Sequence, residues 1–207
     1  MNRRCLRRQS FYSPALDEID STYHLVRFNS SVGYRTPFGG RPSPEVDAAW
    51  GTLDHVNVRS ISAEQVVRNG GSLDDVRLPE EMGGGYMASD MYTHQLHCLN
   101  FLRKATYPEY YASSHGFTDA PHVVRLHMDH CIELLRQSLM CQGDVGLYTF
   151  QWLEEYPGPY PRFSTWHKCR NQASIAAWIE QGAIHTPPDY PWPRVPGSVV
   201  FPVPDAD

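Results

Sequence analysis

A five-residue pattern, His-x-x-His-Cys, occurs twice in this chain of 207 residues and constrains its fold more than any other feature. The two copies span His94–Cys98 and His127–Cys131. On an α-helix, the second histidine lies about 60° from the first around the axis, and the cysteine lies about 40° to the other side. Each copy therefore presents two imidazoles and a thiol on one narrow arc. If the two helices face each other, four imidazoles converge, which is hard to explain without a metal.

Both copies lie in segments that read as helix. The first motif helix is predicted over roughly residues 87–105, where spacings of three and four relate Met87, Met91, His94, Cys98 and Phe101. The second is predicted to begin at Ala120-Pro121 and to run to about Met140 or Cys141. Apolar residues cover more than one face of this second helix, which predicts that it is largely buried.

The rest of the chain predicts a mainly α fold with little β structure. Capping signals begin short helices after Ser43 and Ser62, and a further helix is expected to end at Gly182. Residues 23–28 and 146–152 are the β-leaning stretches. Seven of the 17 prolines follow residue 186, which predicts an extended arm. The Gly83–Gly85 run lacks a following Gly-Lys-Ser/Thr and indicates close backbone packing at a helix entrance.

We therefore expect a single compact helical domain in which the two motif helices pack face to face and long irregular loops connect the elements. The predicted boundaries are a basic flexible tail at 1–10, the helical domain at 11–182 and the Pro-rich C-terminal arm at 183–207. This length is enough for one domain with a sizeable core.

Charge and hydropathy exclude two classes of protein. The net charge of −5 is spread along the chain, and the basic cluster of Arg3, Arg4, Arg7 and Arg8 reads as a solvated tail, so we expect no nucleic-acid partner. No apolar run reaches the length of a transmembrane helix, and no signal-peptide core is visible. Asn29-Ser30-Ser31 is a glycosylation sequon, which fits a secretory compartment.

The ligand chemistry of the doubled motif is rich in nitrogen. Neutral imidazole suits zinc, copper, iron and nickel, and raw affinity for such a ligand set favours copper. The spacing of three differs from that of zinc proteases, and no glutamate lies between the histidines to act as a base. Asp90 is a candidate to orient a ligand imidazole, and His167 is a candidate extra ligand.

The cysteines have two readings. Cys98 and Cys131 can serve as soft metal ligands, or they can join in a disulfide that pins the two helices together. In an oxidising lumen the disulfide is favoured, and Cys141 can then bridge to Cys169. Cys5 is left over, and we assign it no role.

Further segments point, with the doubled motif, to one known family. They are Val26–Asn29, Pro42–Trp50, Glu80–Tyr86, Leu135–Cys141 and Ser164–Arg170. Together they closely resemble the UstYa-like fungal proteins, and the resemblance covers roughly residues 11–180.

The resemblance implies an enzyme that tailors a small-molecule or peptide-derived secondary metabolite by oxidative cyclisation, hydroxylation, desaturation or halogenation. It implies copper, as one or two ions, with dioxygen as co-substrate. By motif match the ligands would be His94, His97, His127 and His130. Because some members act in homologous pairs, it also implies a homo- or hetero-oligomer with a family homologue.

The resemblance further implies a place in the lumen of the secretory pathway. Family members usually carry a transmembrane anchor ahead of the domain, and this chain departs from that pattern because no anchor or signal is visible in it. As written, the chain is expected to be soluble.

Two alternatives to a copper oxidase stay open. The first is a non-oxidative cyclase, in which the pocket folds a reactive intermediate and any metal is structural or a Lewis acid. The second is a non-catalytic partner that stabilises a homologous oxidase. A zinc hydrolase is more distant, because the paired histidines enclose no candidate base.

Overall fold

The computed structural model describes residues 10–31, 33–187 and 190–202. The basic cluster and Cys5 lie outside these residues. Within them, no helix combines the length and the apolar character needed to cross a membrane.

The α-helices of the described chain are α1 Ala15–Glu18, α2 Pro44–Gly51, α3 Ala63–Arg68, α4 Met91–Ala105, α5 Pro108–Tyr111, α6 Pro121–Gln142 and α7 Gln172–Gln181. The strands are β1 Tyr23–Arg27, β2 Arg59–Ile61, β3 Tyr86–Ala88, β4 Thr149–Gln151, β5 Tyr160–Arg162 and β6 Trp166–Arg170.

The chain divides into two compact units, and each is assembled from separate stretches of sequence. The first contains the described residues before His24, residues Asn57–Asp90 and the described residues from Arg170 onward. The second contains His24–Val56 and Met91–Cys169. The division into a tail, a domain over 11–182 and an arm stays a prediction from the sequence.

The first unit is organised around a short antiparallel pair of strands, β2 and β3, with Ile61 opposite Tyr86. The Arg59 guanidinium lies 3.4 Å from the centre of the Trp178 ring on α7, a close cation–π contact. Helix α3 begins with a complete capping box, in which Ser62 and Gln65 satisfy each other's backbone amides, as the sequence predicts.

The second unit holds the two motif helices, α4 and α6, packed against each other. Their shared core consists of Cys98, Phe101 and Cys131, all buried. The Gln95 side chain on α4 donates a hydrogen bond of 2.9 Å to Ser138 on α6. The predicted face-to-face packing of the motif helices is therefore present.

Two details of the helix predictions were wrong. Helix α4 begins at Met91 rather than at residue 87, because residues 86–88 form β3 and pair with β2. Helix α6 is not largely buried: Cys131 is its buried residue, while Leu139 and Met140 are 71% and 69% exposed. Periodicity identifies apolar positions but not which of them meet a partner, and α4 covers one face of α6.

The β structure is more extensive than the sequence indicates. Residues 164–170, for which the sequence predicts no strand, contain β6, which pairs with β1. Strand β4 pairs with β5 across a proline-rich turn. Helix α7 is followed by Gly182, as predicted. In the described part of the C-terminal arm, residues 183–187 and 190–202, no helix or strand is present, and Ile184 forms an isolated bridge with Val58.

Candidate metal centre

The imidazoles of the four motif histidines lie at the corners of a quadrilateral that spans α4 and α6, which we call the histidine ring. Within α4, the ring centres of His94 and His97 are 6.3 Å apart, and within α6 those of His127 and His130 are 6.5 Å apart. Between the helices, His94 lies 5.6 Å from His130, and His97 lies 5.9 Å from His127. The structure thus brings together all four histidines that the doubled motif singled out.

Local helix geometry and the small core produce this arrangement. The spacing of three places both imidazoles of a helix on one face, and the cysteine that follows each pair points into the core. Phe101, one turn after His97, stacks on the His127 ring with centres 4.0 Å apart and on Phe117 at 4.5 Å. These contacts limit the rotation of His127.

Donor atoms of two of these histidines and of the neighbouring Cys98 are spaced for a metal ion. One donor atom from each of His94, Cys98 and His130 lies within 4.8 Å of the others, and this is the one such group in the part of the chain that the structure describes. Bonds of about 2.0–2.3 Å from nitrogen and sulfur to an ion keep two donors within about 4.6 Å of each other. The donor atoms of His94, Cys98 and His130 therefore fit a first-row transition metal, whereas His97 and His127 lie outside this group.

The surroundings of His97 and His127 favour the neutral imidazole form that binds metals. Burial lowers the pKa of His97, and the neighbouring histidines lower it further, against an opposing effect from the Asp54 carboxylate. Burial is also the main cause of the lowered pKa of His127, reinforced by His130 and His94. A neutral ring keeps a nitrogen lone pair free for a metal.

The cysteines of the motif face each other in the helix interface. Both side chains have no exposed surface, and the thiols of Cys98 and Cys131 are hydrogen-bonded to each other. Burial raises the pKa of each thiol, which opposes the thiolate form that metals prefer. Cys98, Cys131, Cys141 and Cys169 are all free in the structure. Ligation and disulfide formation both stay predictions.

The structure places the other candidate residues as follows. His167 lies outside the metal-spaced group: its ring nitrogens contact the side chains of Asp144 and Thr165. Asp90 is half-buried in the first unit, where its charge acts on Arg59, and its proposed role beside His94 stays a prediction. Asn29 is exposed, and its side-chain oxygen accepts a hydrogen bond from Ser164.

The sequence did not predict which side chains contact His127 and His167. The spacing of four between His97 and Phe101 signals a shared helix face, but it gives no sign that Phe101 reaches His127 on the other helix. Asp144 carries no local signal at all, because its partner His167 is distant in sequence.

Fold and site together define a helix-rich protein with a histidine-lined candidate metal centre between two helices. The chain belongs to the family described as "Mycotoxin biosynthesis protein UstYa", whose family model matches residues 1–182. This confirms the resemblance seen in the sequence.

Curated relatives fall in the same family. The chain is 31% identical to the UstYa family oxidase aprY of Aspergillus flavus over 86% of its own length and 58% of that protein's. It is 29% identical to the UstYa family oxidase phomYc of Diaporthe leptostromiformis, covering 88% of this chain and 73% of the relative. A third relative, 30% identical over 87% of this chain and 63% of its own length, is the transacylase cctO of Talaromyces islandicus.

The chain thus spans less than two thirds of the length of two of these three relatives. No solved structure matches this chain.

Proposed function

We propose that this protein is a copper-dependent oxidase that tailors a fungal secondary metabolite. The observation that carries the proposal is the closed ring of four imidazoles from α4 and α6, with centres 5.6–6.5 Å apart along its sides. Membership of a mycotoxin-biosynthesis family and the oxidase names of several relatives support the same reaction class.

The chain's own residues have distinct roles in this proposal. His94, His97, His127 and His130 hold one or two copper ions through neutral ring nitrogens. Phe101 keeps the His127 ring in orientation, and His130 is exposed to solvent, where a substrate could reach it. A copper ion held by these residues would supply one-electron chemistry with dioxygen for the oxidation of the substrate. His94 and His97 are themselves half-buried, which limits the access of water to their rings.

The nearest rival functions differ in what happens to the mass of the product. An oxidation removes hydrogens or adds oxygen or halogen, whereas a cyclisation by isomerisation leaves the mass unchanged. The transacylase name of one relative adds acyl transfer to the outcomes that a product mass can separate. A non-catalytic partner would leave any candidate substrate unaltered unless its homologue is present.

Metal analysis tests the proposal directly. Purified protein is loaded with copper, dialysed and analysed beside a His94→Ala, His127→Ala double variant. A His122→Ala, His185→Ala double variant is the control, because it also removes two histidines but takes exposed ones from outside the ring. Copper retained by the parent and the control but lost from the ring variant supports the proposal. Equal and negligible copper in all three proteins overturns it.

We also propose a luminal location and a homologous partner. The exposed amide of Asn29 is accessible to glycosylation, and the facing thiols of Cys98 and Cys131 suit an oxidising compartment. Expression through a fungal secretory pathway should therefore yield protein whose mass falls on endoglycosidase treatment, and Asn29→Gln should abolish that change. Co-expression with a family homologue, followed by size-exclusion chromatography, tests the partner.

A further inference from the structure

A cleft of about 380 Å³ opens in the second unit beside β5 and β6. This volume lies within the range of small-molecule sites. Thr165 and His167 line it together with Arg162, Trp166 and Thr149, and none of the four ring histidines does. The proposed copper chemistry therefore does not use this cleft.

Three side chains at the cleft form a continuous hydrogen-bonded chain. The Nδ1 atom of His167 lies 3.1 Å from Asp144 Oδ2, and its Nε2 atom lies 2.7 Å from the Thr165 hydroxyl. An ionised carboxylate can only accept, so Nδ1 carries the ring proton of a neutral imidazole. Nε2 then accepts from the hydroxyl of Thr165, as a general base does from a nucleophile.

Each member of this chain is held in place by a further contact. Asp144 Oδ1 accepts the backbone N–H of Gly146 at 2.8 Å, which fixes the carboxylate in its loop. The Phe28 ring stacks on the His167 imidazole with centres 3.9 Å apart and planes 18° apart. The backbone N–H of Phe28 donates to the carbonyl of Thr165 at 2.8 Å, which anchors the backbone of the hydroxyl residue. The His167 side chain is 19% exposed, so it is shielded yet reachable from the cleft.

We propose that this cleft is an acyl-transfer site in which Thr165 is the nucleophile, His167 the general base and Asp144 the positioning residue. Its acyl donor is an ester or thioester. The exposed indole of Trp166 offers an apolar surface for the acyl chain. The Arg162 guanidinium provides a positive charge in the cleft for a carboxylate of the donor or for the carbonyl oxygen as it becomes negative.

The reaction balances without an oxidant or a metal. Thr165 Oγ1 attacks the carbonyl carbon of the donor while its proton passes to His167 Nε2. The bond from the carbonyl carbon to the donor's alcohol or thiol breaks, and the leaving group takes the proton from His167. An acceptor hydroxyl, amine or water then gives its proton to His167 and attacks the acyl ester. Thr165 leaves as its hydroxyl and recovers the proton.

The test uses 4-nitrophenyl acetate as the probe, with the whole protein in a chelating buffer. We expect a burst of nitrophenolate and one acetyl group on the peptide that contains Thr165, located by mass spectrometry. Thr165→Val removes the hydroxyl with little change of shape and should abolish both. Thr149→Val is the matched control, since it makes the same change at another threonine of the cleft.

The positioning and base roles have their own readouts. His167→Gln should slow acylation by about 10²–10⁴-fold. Thr165→Ser keeps a hydroxyl at this position and should therefore retain the acylation that Thr165→Val loses. Asp144→Asn should shift the pH profile of acylation rather than unfold the chain. Thermal melts confirm that the variants are folded. Acetyl groups found only at Lys168 or other amines, or equal labelling in Thr165→Val and Thr149→Val, would overturn the proposal. A parent protein that retains no copper but is still acetylated at Thr165 would count against the proposed oxidase and would support the acyl-transfer site.

Discussion

The thiols of Cys98 and Cys131 meet in the interface between the two motif helices, where both side chains have no exposed surface and are hydrogen-bonded to each other. Each cysteine occupies the same place relative to its histidine pair. Burying the thiols together therefore brings both histidine pairs to the same edge of the interface. The position of the candidate metal centre follows from the packing of two small apolar residues.

The first prediction concerns these thiols. Mild oxidation of the metal-free protein should convert Cys98 and Cys131 to a disulfide and raise the free energy of unfolding by about 3–4 kcal/mol, because the bridge restrains the unfolded chain. Thiol titration in denaturant and urea unfolding measure the two effects. Cys131→Ser should remove the response, and Cys141→Ser, which changes an exposed thiol, should preserve it. An oxidised parent with unchanged stability would refute the expectation.

The second prediction concerns the aromatic support of His127. Phe101→Leu should lower the free energy of unfolding by about 1–2 kcal/mol, because a buried ring that stacks on Phe117 is replaced by a smaller side chain. It should also weaken copper retention by about tenfold or more, because the stack that orients His127 is lost. Phe150→Leu is the control: Phe150 is exposed, and its replacement should leave copper retention unchanged. Equal retention in both variants would show that the stack has no role.

The third prediction concerns a carboxylate in the second unit. Asp47 accepts hydrogen bonds from the Tyr111 hydroxyl at 2.6 Å and from Arg103 at 2.8 Å, and the Arg103 side chain is only 14% exposed. Partial burial opposes ionisation of Asp47, but these bonds outweigh it and hold its pKa below the usual value. Asp47→Asn should lower the free energy of unfolding at neutral pH by about 1–3 kcal/mol, because Arg103 loses its counter-charge.

The lowered pKa fixes the direction of the pH dependence. The unfolded carboxylate titrates near its ordinary value of about 3.9. The stabilisation is therefore complete above that pH and is lost as the pH falls through the lower pKa of the folded state. Urea unfolding between pH 7 and 3 should show that the difference in free energy of unfolding between the parent and Asp47→Asn decreases towards pH 3. Glu64→Gln, which removes an exposed ion pair with Arg68, should follow the parent at every pH.

The fourth prediction compares two glycines that share a left-handed backbone. Gly83 and Gly85 have φ values of +92° and +74°. A Cβ atom on Gly83 meets no atom within 4 Å, whereas one on Gly85 would lie 2.8 Å from the carbonyl oxygen of Ile61. Gly83→Ala should cost about 1–2 kcal/mol from backbone conformation alone. Gly85→Ala should cost about 1–3 kcal/mol more, because β2 and β3 must separate. Equal losses, measured by thermal unfolding, would refute the packing argument.

Much of the site could be predicted from the sequence, because its information is local. A spacing of three fixes which histidines share a helix face, and Pro121 and Gly182 mark helix limits that depend only on nearby backbone. The reading of Gly83–Gly85 as a point of close backbone approach also holds at Gly85, although the neighbour is strand β2 rather than a helix.

The incorrect structural predictions share one cause: pairing between segments that are distant in the chain has no local sequence signal. Residues 86–88 read as the first turn of a helix until β2 provides a partner for them. Leu139 and Met140 read as core until α4 is seen to cover only one face of α6. The strand that carries His167 was missed because β1, its partner, lies far away in the chain.

The sequence by itself determined that two helices would each carry a pair of imidazoles and a thiol on one face. The angular position of a side chain around a helix depends only on sequence spacing and not on any packing partner. Only the tertiary structure decided that His94 would meet His130 and that His97 would meet His127. It also decided that His167 would lie between Asp144 and Thr165. Contacts between elements depend on which surfaces are buried together, and burial is a property of the whole packed chain.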